Sequence, residues 1–226
     1  MGIPQLVSEH VYTFDVVSRC WHRPKVTGTL PLARDGHSCC VVGNCMYLFG
    51  GFEEESMEFS NTVYSLNLTT FRWSFCLASG EEPIWRDFHS ATAWRDYMIV
   101  FGGRSDEAGP IHSAQELYDD TIYMFDTRNN RWSVPKVTGP LPVGRRSHCA
   151  FEHKDRLYIF GGFNSNLGTH YNDIYMYNIK KKRWSPFKVG GGYHAFVEDL
   201  AVAKTVTAFI YSEAPVLTLL SPTCSH

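Results

Sequence analysis

The sequence is short of nearly everything that would mark it as helical, membrane-embedded or catalytic. No stretch of useful length repeats its apolar residues at the period of an amphipathic helix. The most apolar segment, residues 200–220, is interrupted by Lys204, Glu213 and Pro215, which a membrane span tolerates poorly. The opening Met1-Gly2-Ile3-Pro4 has no basic stretch followed by an apolar core, so no secretory leader is expected. Charge of one sign is also scarce. Lys and Arg number 21, Asp and Glu 23, for a net charge of -2. That balance excludes a polybasic nucleic-acid binder and leaves room only for a local basic face. The seven cysteines (Cys20, Cys39, Cys40, Cys45, Cys76, Cys149 and Cys224) include no C-x-x-C pair and are odd in number. They read as free thiols in a reduced compartment, cytoplasm or nucleus.

What is abundant is aromatic and glycine. Aromatics make up 15% of the chain, and 18 glycines are spread among them, which suits many short strands joined by tight turns. Three markers recur in one frame. Trp21, Trp73, Trp132 and Trp184 are separated by 52, 59 and 52 residues. R-x-x-H units begin at Arg34, Arg86 and Arg145, and Gly-Gly pairs begin at Gly50, Gly102 and Gly161, both with spacings of 52 and 59. The seven extra residues of the middle unit fall within Arg104–Asp119, whose Gly109-Pro110 reads as a surface loop.

Each unit reads as four strands. The first follows the R-x-x-H, the second ends at the glycines, the third alternates as in Ile174-Tyr175-Met176-Tyr177, and the short fourth holds the Trp. A sheet of this size cannot bury both faces alone, so such units stack around an axis. The reading is therefore all-β, with a repeat region spanning 1–189: a half blade at 10–24 and complete blades at 34–73, 86–132 and 145–184. The frame forecasts a further Arg at 197, a His at 200 and a Gly-Gly near 213. The chain has Val197, Leu200 and Glu213-Ala214 there, so 190–226 reads as a divergent, weakly ordered tail. Three and a half units are fewer than the 4–8 blades of a closed ring, which reads as part of a larger propeller.

Gly-Gly, Tyr and Trp marks at about 50-residue spacing resemble kelch repeats. The likeness is tightest over Ala33-Arg34-Asp35-Gly36-His37-Ser38, Trp85-Arg86-Asp87-Phe88-His89-Ser90-Ala91-Thr92, Gly144-Arg145-Arg146-Ser147-His148 and Gly109-Pro110-Ile111-His112-Ser113. The resemblance, covering about residues 10–188, implies a β-propeller that binds proteins. It further implies a substrate receptor of a cullin-RING ubiquitin ligase that reads protein C-termini and docks through an elongin-binding box beyond the propeller. No such box is found in residues 190–226. The alternative it implies is a chromatin-associated scaffold in meiotic recombination without ligase coupling.

Ligands of such a face sit on the loops before the first strand and after the Gly-Gly. Arginine matches a carboxylate with two parallel hydrogen bonds. Arg146 and Arg104 depart from the repeat, whereas Arg34, Arg86 and Arg145 recur in it and read as structural. The residues expected to bind a partner are thus Arg104, Arg146, Ser147, Phe163 and Asn164. His37, His89 and His148 recur at one repeat position and are expected to orient their own blades rather than hold metal. No nucleophile–base pattern or phosphate-cradling loop appears, so neither catalysis nor a cofactor is expected.

Overall fold

A computed structural model describes residues 10–188 and, as a backbone strand, 217–221. Among the described residues there are strands and turns but no helix. The first blade pairs Ser38–Val42, Cys45–Phe49, Val63–Asn67 and Arg72–Cys76 in an antiparallel meander. The second pairs Ser90–Trp94, Tyr97–Phe101, Ile122–Asp126 and Arg131–Ser133. The third pairs Cys149–Glu152, Arg156–Phe160, Ile174–Asn178 and Arg183–Pro186. Ahead of them, Val11–Asp15 and Cys20–His22 form an antiparallel pair, the two outer strands of a blade. The fold is a partial β-propeller of three complete blades and a half blade.

The stacking follows from the sequence pattern. Alternate residues of each strand point to opposite faces, and one face of each blade packs on the preceding blade. Trp132 lies edge-on to Phe49 of the first blade, with ring centroids 5.0 Å apart, and Trp184 lies 5.4 Å from Phe101 of the second. Trp73 is buried with Val11 of the half blade, Met46, Leu48 and Leu66. Trp21 has no preceding blade among the described residues to cover it and is 57% exposed, against 2% or less for the other three tryptophans of the repeat. The first strands of neighbouring blades approach one another, which places them innermost.

Each blade also gains an edge partner that the repeat markers do not announce. Thr27–Gly28 runs parallel to Arg72–Trp73, Ser79–Gly80 to Arg131–Trp132, and Thr138 bridges Arg183 in the same sense. Glycine is required there. Gly80 sits at φ +93°, and a Cβ on it would lie 2.3 Å from the Trp132 carbonyl oxygen.

Of the tail, Leu217–Ser221 pairs in parallel with Val11–Asp15, unlike the antiparallel neighbours within the blades. The rest of the expectation for 190–226 lies outside the described residues. Cys20, Cys39, Cys40, Cys45 and Cys76 are free thiols.

Candidate functional site

The recurrent arginines hold the framework. Arg34, Arg86 and Arg145 are 3%, 1% and 0% exposed. Each Nη1 donates to the carbonyl of the first glycine of its own blade, Gly50, Gly102 or Gly161, at 2.9–3.0 Å. Each also meets a carboxylate: Glu53, Asp119 and Asp173 respectively. Buried guanidinium is stable only when paired and hydrogen-bonded in this way.

Two of the recurrent histidines, His89 and His148, also join their blade to the preceding one. His89 Nε2 is 2.5 Å from Ser38 Oγ of the first blade, and His148 Nε2 is 2.8 Å from Ser90 Oγ of the second. Burial lowers their pKa values, His37 to about 4 and His148 to about 3, so they are neutral at physiological pH. Among the described residues, no group of three or more His, Cys, Asp or Glu side chains is placed to hold a metal ion.

At one end of the blades the two loop sets meet. The residue after each motif arginine bridges the residue after each Gly-Gly: Asp35 with Phe52, Asp87 with Arg104, and Arg146 with Phe163. Inside this rim the third motif residues are linked from blade to blade. Phe88 N–H donates to Gly36 O at 2.7 Å, and Ser147 N–H to Phe88 O at 2.9 Å. All three have positive φ: Gly36 56°, Phe88 49° and Ser147 53°. This turns the Phe88 ring up between the two loop sets.

Arg146 lies over the rings of Phe163, 5.0 Å from the centroid, and Phe88, 5.8 Å away. Its Nη1 is 3.4 Å from Ser147 Oγ. Its Nε is buried without a hydrogen-bond partner, and among the described residues no carboxylate pairs with it. Arg104 is placed differently. It grips Asp87 with two hydrogen bonds, Nη2 to Oδ2 at 2.6 Å and Nε to Oδ1 at 3.2 Å, and reaches Glu116 Oε1 at 3.4 Å. Phe59 and Phe88 flank it. Asp87 is 1% exposed. Burial lifts its carboxyl to about 6 despite the opposing bonds from Arg104. Phe163 is half-buried and contacts His170. Asn164 is buried, with its amide donating to Gly144 O at 2.7 Å and its oxygen accepting from Leu167 N–H.

Each blade carries a short hairpin after its Gly-Gly, Phe52–Glu53 with Glu58–Phe59, Ser105–Asp106 with Glu116–Leu117 and Phe163–Asn164 with Thr169–His170; the insertion lengthens the middle one, whose loop folds over the first blade. Phe59 N–H donates to Pro110 O, and His112 packs on Phe52 and Phe59 at 4.3 and 4.4 Å. On the other side, Glu116 accepts from Ser165 and Tyr118, and Asn166 donates to its carbonyl. The five expected binding residues therefore lie on one rim. To them the structure adds Phe88, Asp87, Glu116 and His112. Asp87 was readable, because it occupies in its motif the place Arg146 occupies in its own; Glu116 and His112 have no counterpart in the other units.

Residues 3–205 match the family model described as the KLHDC2/KLHL20/DRC7 Kelch-repeats domain. The chain is 45% identical over 181 residues to human Kelch domain-containing protein 3, covering 80% of this chain and 47% of that protein. It is 27% identical over 199 residues to mouse Kelch domain-containing protein 1, covering 80% and 48%. It is 27% identical over 200 residues to Drosophila melanogaster Host cell factor, covering 82% and 13%. The chain thus spans about half the length of the first two relatives. The frame of tryptophans, paired glycines and R-x-x-H units, the stacked blades they build and these matches together make the chain a member of the kelch-repeat family of protein-interaction domains.

Proposed function

We propose that the rim around Arg146 receives the free C-terminus of a partner protein, and that the chain serves as the recognition part of a cullin-RING ubiquitin ligase substrate receptor. The observation that carries this reading is Arg146 itself. It is extra to the repeat, rests on two aromatic rings, carries a buried Nε with no acceptor, and has no carboxylate partner among the described residues. A buried donor left unpaired costs about 1–3 kcal/mol, and a terminal carboxylate would satisfy it with two parallel bonds. Ser147 Oγ stands beside it to complete the clamp. Phe88 and Phe163 would form the walls against which a small terminal residue lies.

Arg104 supports the site from within, since Asp87 and Glu116 already engage its guanidinium. It fixes Phe88 and keeps Asp87 from facing the incoming carboxylate. Arg104 contacts a ligand only at the cost of those bonds. Asn164 acts the same way, holding the Gly144 carbonyl immediately before Arg145-Arg146.

The test is binding of fluorescent glycine-terminated peptides to the chain and to Arg146→Ala and Arg146→Lys variants. The reading expects Arg146→Ala to weaken binding about tenfold to a hundredfold, the loss of one charge-assisted pair of about 1.5–3 kcal/mol. Arg146→Lys should recover only part of it, because an ammonium cannot present two parallel donors. Equal binding by all three proteins would remove Arg146 from the site. Capture of elongin and cullin by a full-length chain bearing its docking segment would test the ligase coupling separately.

A further inference from the structure

The opposite end of the third blade carries a feature the ligand rim does not use. There the turn between first and second strands meets the turn between third and fourth, tied by Ile179 N–H donating to Asp155 O at 3.1 Å. The equivalent third-to-fourth turns read Leu68-Thr69-Thr70-Phe71-Arg72 in the first blade, Thr127-Arg128-Asn129-Asn130-Arg131 in the second and Ile179-Lys180-Lys181-Lys182-Arg183 in the third. Their cations rise from one to two to four. Arg156 joins them, since it and Arg183 flank Asn178 on the two neighbouring strands, and Lys154 sits in the adjoining turn.

The anions do not rise in step. In the second blade, Asp126 caps the turn by accepting from Arg128 N–H and the Asn129 amide, and Arg128 pairs with Asp96. In the third blade the capping residue is the neutral Asn178, which accepts from Lys181 N–H at 2.9 Å. Asp155 is already shared between Lys180 and Arg95. Lys154, Arg156, Lys181, Lys182 and Arg183 are all exposed, and none pairs with a carboxylate among the described residues. The equivalent Arg72 and Arg131 stay exposed although a blade follows each, so stacking does not hide this position.

We infer that this turn cluster is a docking surface for the phosphate backbone of a nucleic-acid duplex, read without regard to sequence. Three observations favour that partner. Lysine supplies most of the charge, as freely turning ammonium groups that act as point charges on any phosphate within reach and do not demand the fixed geometry of a planar fork. The side chains between the cations are turned inward, Ile179 4% and Trp184 0% exposed, so no pocket is offered to the side chains of an acidic peptide. No large apolar side chain is exposed among residues 152–183 other than Leu167, at the far end of the blade, so nothing at the turns would insert into a lipid surface. The inference is independent of the ligand rim.

The experiment measures a fluorescein-labelled 20-base-pair duplex by anisotropy against the chain over a range of salt. Lys181→Asn/Lys182→Asn is compared, a double change that recreates the second blade's Asn129-Asn130 and keeps a residue tolerant of positive φ where Lys182 sits at 50°. The expected result is a linear fall of log K with log salt, at a slope of about -0.9 per phosphate contacted. The double variant should bind about tenfold or more weakly at low salt, with a slope shallower by about 1.8, and should keep the parent's thermal unfolding midpoint. Equal affinity and slope for parent and variant would overturn the inference. So would competition by polyglutamate as effective as by unlabelled duplex, or binding to vesicles with 30% anionic lipid in preference to the duplex.

Discussion

At the residue scale, the same motif position does different work in different blades. The second motif residue is Asp35, Asp87 or Arg146, and what faces it is Phe52, Arg104 or Phe163. The middle blade closes on itself by an ion pair; the third leaves a cation on an aromatic ring. Sequence comparison of the motifs exposes this swap. What it does not expose is that Asp87 and Glu116 consume Arg104, because the insertion that brings Glu116 into place has no counterpart in the other units. The histidines make a second residue-scale point. A repeated His was readable as structural, but its partner, Ser38 or Ser90 of the preceding blade, is set by stacking rather than by its own unit. Their lowered pKa values give a pH dependence with a definite sign. Unfolded, His148 takes a proton near 6.5; folded, only near 3. The unfolded chain therefore binds more protons in that window, and stability falls as pH drops below 6.5. By pH 5 one such residue removes about 2 kcal/mol. Asp87 acts oppositely, because a folded pKa of about 6 makes the native state hold a proton between about 4 and 6. Thermal melts should show a lower midpoint at pH 5 than at pH 7.5. His148→Gln should flatten the drop and Asp87→Asn should steepen it.

At the scale of elements, tight spacing of aromatics and glycines marked the four strands of each blade, and those strands are where the frame put them. The fifth, parallel edge piece was missed, although its signal exists: Thr27-Gly28, Ser79-Gly80 and Thr138-Gly139 also repeat at 52 and 59 residues. Two residues are too few to read as a strand from pattern alone. Only the carbonyl of the following Trp, against which each glycine lies, makes the reason plain. Gly80→Ala should cost well over 1 kcal/mol, combining positive-φ strain with backbone overlap at 2.3 Å. Gly43→Ala, at φ +58° with open space around it, carries the strain alone and should cost about 1 kcal/mol. Denaturant titration of the two variants checks the order; equal losses would mean that the edge piece contributes nothing to the blade.

For the whole molecule, stability comes from blade-to-blade packing, so a residue's worth depends on whether its neighbour blade is there. Trp132 sits between Phe49 and Phe125 and is 1% exposed, whereas Trp21 touches Phe14 and is 57% exposed. Trp132→Ala should therefore cost about 3–5 kcal/mol and Trp21→Ala less than about 1, measured by chemical unfolding. The sequence cannot distinguish these two tryptophans, because both fit the repeat equally; only their place in the stack does. The same stacking assembles the rim, since the Phe88 platform comes from one blade and Arg146 from the next.

The central claim is that this rim reads a carboxylate, and removing the charge from the ligand tests it most directly. Isothermal titration of one peptide with a free or an amidated C-terminus, against the parent chain and Arg146→Ala, closes a cycle of four affinities. The account predicts that amidation weakens binding to the parent about tenfold to a hundredfold and to Arg146→Ala only slightly, because the two changes remove the same interaction. Equal affinity of the parent for acid and amide would contradict it.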